Sequence, residues 1–104
     1  MKQMISWRER PMGSPADYEA AQTRILSVFK HWKQPESFKV LQWVIRVGDW
    51  GGYLLVETTD VAAIHQLSTM LPSFEFRVEQ VMDLQDAIKA ELDMMDWRAA
   101  LPVK

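Results

Sequence analysis

The chain has 104 residues, of which 48% are hydrophobic and 25% charged, and this is the composition of one soluble globular domain. No segment approaches the roughly 20 uninterrupted apolar residues that span a bilayer, and the N-terminus lacks the long apolar stretch of a signal peptide. We therefore expect a cytoplasmic protein with no membrane partner. The net charge is −2 with scattered basic residues, which argues against nucleic acid as a partner. Without cysteine, disulfides and thiolate metal sites are excluded.

The first half of the chain predicts a strand, a helix and a second strand. The strand covers Lys2–Arg10 and the helix Pro15–Lys33, with Ser14 as its cap. The inward stripe of the helix is predicted to comprise Tyr18, Ala21, Ile25, Val28, Phe29 and Trp32. The second strand is predicted over Phe38–Val47, with one continuous apolar face made of Leu41, Trp43, Ile45 and Val47.

The second half begins with a glycine-rich turn. Gly48, Gly51 and Gly52 lead into a strand and not into a helix, so they indicate a hairpin in which glycine supplies positive φ angles, and not a phosphate-binding loop. A third strand is predicted over Tyr53–Thr58. Thr59 or Asp60 then caps a second helix that ends at Pro72. The inward residues of that helix are predicted to be Val61, Ile64, Leu67 and Leu71.

Strict alternation over Phe74–Asp83 predicts the fourth strand, and residues 84–101 return to helical spacing. This C-terminal helix has apolar residues on two sides, which suits packing on the sheet and on a partner chain. The order β-α-β-β-α-β predicts an α+β, ferredoxin-like domain over residues 1–104, with a four-stranded antiparallel sheet and both crossover helices on one face. We expect the other face to remain apolar, and a homodimer to cover it.

Four short motifs also resemble a known family. The stretches MKQMISW, QPE, GYLLVETTD and FEFRVEQVMDLQDA, in this order, resemble the bacterial Domain of Unknown Function 3303, within the dimeric α/β-barrel group. The resemblance covers roughly residues 2 to 90. It implies a homodimer whose two sheets face each other, with an amphipathic cleft beside each sheet. Members of this barrel group have many activities, so the resemblance selects none of them.

The candidate cleft residues are three aromatic and two charged side chains. Trp7 and Trp43 are predicted to line the cleft if their strand face is uncovered, and Arg46, Tyr53 and Glu57 are the polar or amphipathic candidates. For Trp7 and Trp43 the core or the dimer interface is the commoner role, and for Glu57 a bond to nearby backbone N–H groups. We expect no metal site, because the two histidines show no ligand spacing, and no cofactor.

Two functions remain open from the sequence. The first is a small homodimeric protein that binds a small, partly apolar molecule or serves in assembly. The alternative is a cofactor-independent, monooxygenase-like or isomerase-like enzyme of the dimeric barrel group. An enzyme would need an enclosed pocket that holds a titratable group with a shifted pKa.

Overall fold

A computed structural model describes residues 1–103 and shows an α+β chain of four strands and three helices. The elements in chain order are β1 (Lys2–Glu9), α1 (Pro15–His31), β2 (Lys39–Ile45), β3 (Gly52–Glu57), α2 (Val61–Met70), β4 (Phe74–Val81) and α3 (Leu84–Ala99). All seven lie where the sequence predicts them, with ends displaced by a few residues.

The four strands form one antiparallel sheet in the order β2-β3-β1-β4. The strands β1 and β3 occupy the centre, so α1 connects β1 to β2 across β3, and α2 connects β3 to β4 across β1. Each crossover therefore joins two parallel strands that are separated by a third strand. This arrangement is consistent with the ferredoxin-like split βαβ pattern.

Both crossover helices cover the same face of the sheet, which we call the helix side. The buried core lies between them and this face, and it contains Ile5, Phe38, Leu54, Val56, Ile64 and Leu67, with Ile25, Leu71 and Phe74 in an adjoining cluster. Because side chains alternate along a strand, the residues between these core positions point to the other face. We call that face the open side.

The helix starts agree with the sequence prediction. The Ser14 side chain accepts a hydrogen bond from the Asp17 N–H at 3.3 Å, and the Asp60 carboxylate accepts one from the Ala63 N–H at 3.0 Å. These side chains satisfy N–H groups that the first helical turn leaves without a backbone partner. The predicted inward stripe of α1 is also confirmed, since all six residues are buried or half-buried. In α2, however, Val61 is exposed, and Ala63 takes the inward position instead.

The predicted apolar face of β2 is wrong in its register. The pairing with β3 shifts between Val40 and Gln42, so Val40 and Trp43 both lie opposite core residues of β3. This irregularity adds one residue, Leu41, and reverses the alternation beyond it. Leu41 is therefore half exposed, and Val47 lies beyond the end of the strand and is fully exposed.

The open side is less apolar than the sequence suggested. Its centre carries the apolar or amphipathic side chains Met4, Val44, Tyr53 and Leu55, but β4 presents Glu75, Arg77 and Glu79 on this side. The phenylalanines of β4 alternate with these charges and lie on the helix side. The open side is thus an apolar centre beside a charged edge.

The hairpin between β2 and β3 uses its glycines differently from the prediction. Only Gly48 has a positive φ, of 99°, so the positive angles expected at Gly51 and Gly52 are wrong. Glycine is required at these two positions because neighbouring backbone atoms lie where a Cβ would be. A Cβ at Gly52 would lie 2.2 Å from the Val44 carbonyl oxygen, and one at Gly51 would lie 2.4 Å from that of Trp7.

The C-terminal helix α3 stands apart from the rest of the chain. None of its residues is buried, and the longest dimension of the structure is 67 Å. An ion pair between Lys2 and Asp83 holds the start of α3 beside β1, and hydrogen bonding to Asp83 raises the pKa of Lys2. The expected packing of α3 on its own sheet is therefore wrong.

Candidate functional site

The main candidate site is a pocket between α1 and the helix side of the sheet, which we call the helix-side pocket. Its volume is about 460 Å³, within the range of small-molecule sites. Five aromatic side chains form most of its wall: Trp7, Phe29, Trp43, Trp50 and Phe74. Ile25, Leu26 and Ile45 complete the apolar lining, and Asp49 is the one charged residue that lines it.

Three of the five aromatic rings in this wall pack directly against one another. Trp7 comes from central strand β1 and Trp43 from edge strand β2, and their rings meet edge to face with centroids 6.3 Å apart. Phe29 of α1 packs on Trp43 at 5.6 Å. Edge-to-face pairs of this kind are favourable contacts in addition to the area they bury. Trp7, Phe29 and Trp43 therefore hold one another in position.

Below this wall the core is closely packed. The void that remains between Trp7, Trp43 and the core residues of β1, β3 and α2 measures only about 10 Å³, which is at the lower limit of the space for one water molecule. The accessible space of the pocket therefore does not continue into the core. Leu26 of α1, at 57% exposure, marks the side that is open to solvent.

Asp49 forms the polar rim of the helix-side pocket and is paired with Arg46, which lies outside the pocket lining. The Arg46 Nε–H donates to the Asp49 carboxylate at 3.1 Å, and this hydrogen bond raises the pKa of Arg46. The Arg46 Nη2 atom donates to the Trp7 carbonyl oxygen at 2.9 Å. Since a Cβ at Gly51 would lie 2.0 Å from Nη2, a glycine at this position lets the guanidinium reach Trp7. Arg46 therefore ties the hairpin to β1 at the pocket edge.

A second, smaller pocket of about 280 Å³ lies on the open side, near the same end of the sheet. It is lined by six polar or amphipathic residues and two apolar ones: Ser6, Arg8, Arg46, Tyr53, Glu75 and Arg77, with Trp7 and Phe76. The Arg46 guanidinium lies 5.5 Å from the centre of the Tyr53 ring, within the range of a cation–π contact. Arg77 is paired with Glu79 at 3.1 Å. The pocket thus holds three arginines and one glutamate, and Arg46 and Arg77 are paired with Asp49 and Glu79.

The structure brings together only some of the five residues that the sequence proposed for one cleft. Trp7 and Trp43 line the helix-side pocket, and Trp7 also lines the open-side pocket together with Arg46 and Tyr53. Glu57 is also on the open side, but four residues along β3 from Tyr53, which is roughly 13 Å. Its carboxylate lies 3.4 Å from the amino nitrogen of Met1. Trp7 thus belongs to both pockets, and Glu57 lies apart from them.

Sequence reasoning placed Phe29 in the core and missed Trp50 and Asp49 as pocket residues. Trp50 lies in the hairpin, where no periodicity assigns a side chain to a face, and it packs against the cluster of Ile25, Leu71 and Phe74. The one available signal was composition, because a tryptophan within a glycine-rich turn needs an apolar surface nearby.

Other site types find little support in residues 1–103. In this part of the chain, no three metal-ligating side chains lie close enough together to hold an ion. The pKa values that depart from their ordinary range belong to Lys2, Arg46 and Asp60, each explained by a local hydrogen bond. None of the helices within these residues combines the length and apolar character that crossing a membrane requires.

Fold and pocket together define a small α+β protein with a split βαβ sheet and one aromatic pocket beneath its first helix. A family model described as a domain of unknown function, DUF3303, matches residues 1–95. The chain belongs to this family, which confirms the family that the four sequence motifs predict. No curated protein matches the chain.

Proposed function

We propose that this protein binds a small, largely apolar molecule with a flat ring in the helix-side pocket. One observation carries the proposal: five aromatic side chains from β1, α1, β2, the hairpin and β4 converge on a space of about 460 Å³. The faces and edges of aromatic rings make their most favourable contacts with another flat apolar group. The Asp49 carboxylate, already paired with Arg46, leaves the pocket close to neutral, so a neutral ligand suits it better than a charged one.

Binding explains the pocket better than the monooxygenase-like or isomerase-like alternative. Proton transfer needs a positioned acid or base with a suitable pKa. Asp49 is the single titratable residue among those that line the pocket, and its carboxylate accepts hydrogen bonds from Arg46. The enzyme alternative thus has no observation in its favour, and we assign the pocket to binding.

The experiment uses N-phenyl-1-naphthylamine, a flat apolar probe whose emission rises when it leaves water. We expect the wild-type protein to enhance the emission in a saturable manner. Trp50→Ala removes one wall of the pocket and should weaken the probe's affinity at least tenfold. Trp97→Ala is the matched control, because it removes an exposed tryptophan of α3. An affinity that falls with Trp97→Ala and not with Trp50→Ala would overturn the proposal.

Native mass spectrometry of protein purified from its own host extends this experiment to the physiological ligand. A retained molecule should be lost in Trp50→Ala and kept in Trp97→Ala. We propose the bacterial cytoplasm as the setting, on the basis of the family resemblance and of a chain without cysteine.

We further propose that the protein is a homodimer of the dimeric α/β-barrel type, in which two open sides meet. The apolar centre of the open side supports this proposal, because Val44 and Tyr53 are more than 40% exposed in a single chain. Light scattering at micromolar concentration should give twice the mass of 12.1 kDa. A mass of one chain would contradict the homodimer without affecting the proposal on ligand binding.

A further inference from the structure

The pocket on the open side carries more positive than negative charge. Three arginines line it, and Glu75 is the one acidic residue in its lining. Arg8 belongs to β1 and Arg77 to β4, while Arg46 follows the last residue of β2. Three different parts of the chain therefore bring cations to one small pocket, which favours an anion as its ligand.

Strand pairing makes Arg8 and Arg77 diagonal neighbours on the open side. In the ladder between β1 and β4, Arg8 lies opposite Glu75, and Arg77 lies opposite Ser6. Diagonal neighbours on one face of an antiparallel pair are roughly 7–8 Å apart, a distance that long side chains can bridge. The two arginine side chains are therefore long enough to reach the same anion between them.

The ion pairs around the pocket leave one positive charge uncompensated. They match the other charges one to one: Arg46 with Asp49 at 3.1 Å, Arg77 with Glu79 at 3.1 Å, and Arg10 with Glu75 at 3.8 Å. Within residues 1–103, Arg8 takes part in no ion pair. A ligand with a single negative charge would therefore balance the pocket.

Arg77 is also able to contribute to binding, although it has a partner. Its side chain is 76% exposed and that of Glu79 is 54% exposed. An ion pair between two exposed side chains contributes little to stability, because water and salt screen it. Arg77 can therefore turn from Glu79 to a ligand at small cost.

Arg46 and Ser6 provide the fixed part of the pocket. The Arg46 guanidinium donates to the Trp7 carbonyl oxygen at 2.9 Å and lies 5.5 Å from the centre of the Tyr53 ring. Ser6, on the central strand β1, lies opposite Tyr53 on one side and Arg77 on the other. Its hydroxyl group can donate a hydrogen bond at the centre of the pocket. A positioned cation and a neutral donor thus accompany the two exposed arginines.

Charge and size favour a carboxylate over a phosphate. A carboxylate carries one negative charge, and its two oxygens match the forked donors of a guanidinium. A phosphate group carries about −1.5 to −2 charges at pH 7 and would stand beside Glu75. The volume of about 280 Å³ lies just below the roughly 300–1,000 Å³ of common ligand pockets, so the ligand is small.

We propose that the open-side pocket is a second binding site, which holds the carboxylate of a small organic acid between Arg8 and Arg77. All of its residues come from one chain, so the site does not depend on the homodimer. It is also independent of the ligand proposed for the helix-side pocket.

Nuclear magnetic resonance of the ¹⁵N-labelled full chain tests this site with benzoate as the probe. Benzoate should shift the backbone amide signals of Ser6, Arg8 and Arg77 in a saturable manner. Benzamide has the same size and shape but no charge, and it should leave these signals in place. Inorganic phosphate should bind more weakly than benzoate.

Three variants test the role of charge. Arg8→Gln should raise the dissociation constant of benzoate roughly tenfold, the usual effect of losing a hydrogen bond to a charged group. Arg24→Gln on the exposed surface of α1 removes the same charge elsewhere and is the matched control, with little change expected. Glu75→Gln removes the acid from the pocket and should tighten binding about threefold. Circular dichroism checks that each variant folds.

The outcomes separate the site from general attraction between opposite charges. Weaker binding in Arg8→Gln and tighter binding in Glu75→Gln, with no change in Arg24→Gln, support the site. Equal losses in Arg8→Gln and Arg24→Gln overturn it, because net charge alone then explains binding. Benzoate shifts confined to α1 also overturn it, as does benzamide that binds as tightly as benzoate. Phosphate that binds more tightly than benzoate overturns the assignment to a carboxylate.

Discussion

The two faces of the sheet differ in what covers them, and two neighbouring residues of β3 show the difference. Leu54 is 1% exposed beneath the helices, while Leu55 points to the open side and is partly accessible. The helix side holds the core and the aromatic pocket, whereas the side chains of the open side are accessible to solvent. Stability and ligand binding should thus depend mainly on the helix side.

Leu54→Ala should produce the largest effect. Removing a buried leucine side chain leaves a cavity that the core fills only in part, which costs about 2–5 kcal/mol of unfolding free energy. Leu55→Ala changes the same residue type one position along, and it should cost about 1 kcal/mol or less. Urea denaturation at a single protein concentration measures both. Similar losses for the two variants would show that the open side is as well packed as the helix side.

The next largest difference in unfolding free energy is expected between substitutions at two glycines of the hairpin. A Cβ at Gly52 would overlap the Val44 carbonyl oxygen at the edge of the sheet, so Gly52→Ala should cost about 1–3 kcal/mol. Gly48→Ala meets no atom within 4 Å and suffers only from its positive φ, for about 1 kcal/mol. Denaturation curves rank the two variants. If Gly48→Ala lowers the unfolding free energy more than Gly52→Ala does, then the hairpin requires glycine mainly for its backbone conformation and not for close approach.

The smallest predicted effect concerns the cap of α2, one of the two helices that cover the pocket side. Hydrogen bonds from the Ala63 N–H and then from the Ser37 hydroxyl hold the pKa of Asp60 below its ordinary value of 3.8. A carboxylate with a lowered pKa stabilises the fold above that ordinary value, and the contribution is lost as the pH falls through the lowered pKa.

Asp60→Asn keeps a side chain that can cap a helix but removes its charge. Its melting temperature should therefore fall below that of the wild type at pH 7, and the difference should shrink as the pH falls below about 4. Asp93→Asn, on the exposed side of α3, serves as the control and should show little difference at any pH. A constant gap for Asp60→Asn between pH 7 and pH 3 would contradict the assigned role of the charge.

Local sequence signals predicted the positions of the strands and helices well. They predicted only in part which face of the sheet each side chain lies on. Ser14 and Asp60 cap their helices because capping depends on a side chain and an N–H group two or three residues away. The face of Trp43 depended instead on one irregular residue, Leu41, in the pairing of β2 with β3. Such a shift arises from the fit between two strands, and the alternation within one strand does not contain it.

By itself, the sequence determined the order of strands and helices, the caps, the family and the amphipathic character of α3, because each of these depends on residues close together along the chain. Only the tertiary structure decided that Trp7 and Trp43 share a pocket with Trp50, and that Trp7 also lines a second pocket with Arg46 and Tyr53. It also decided that Glu57 lies apart and that α3 buries none of its residues. These facts depend on strand register and on the path of the chain after β4, which are set by contacts between residues far apart in sequence.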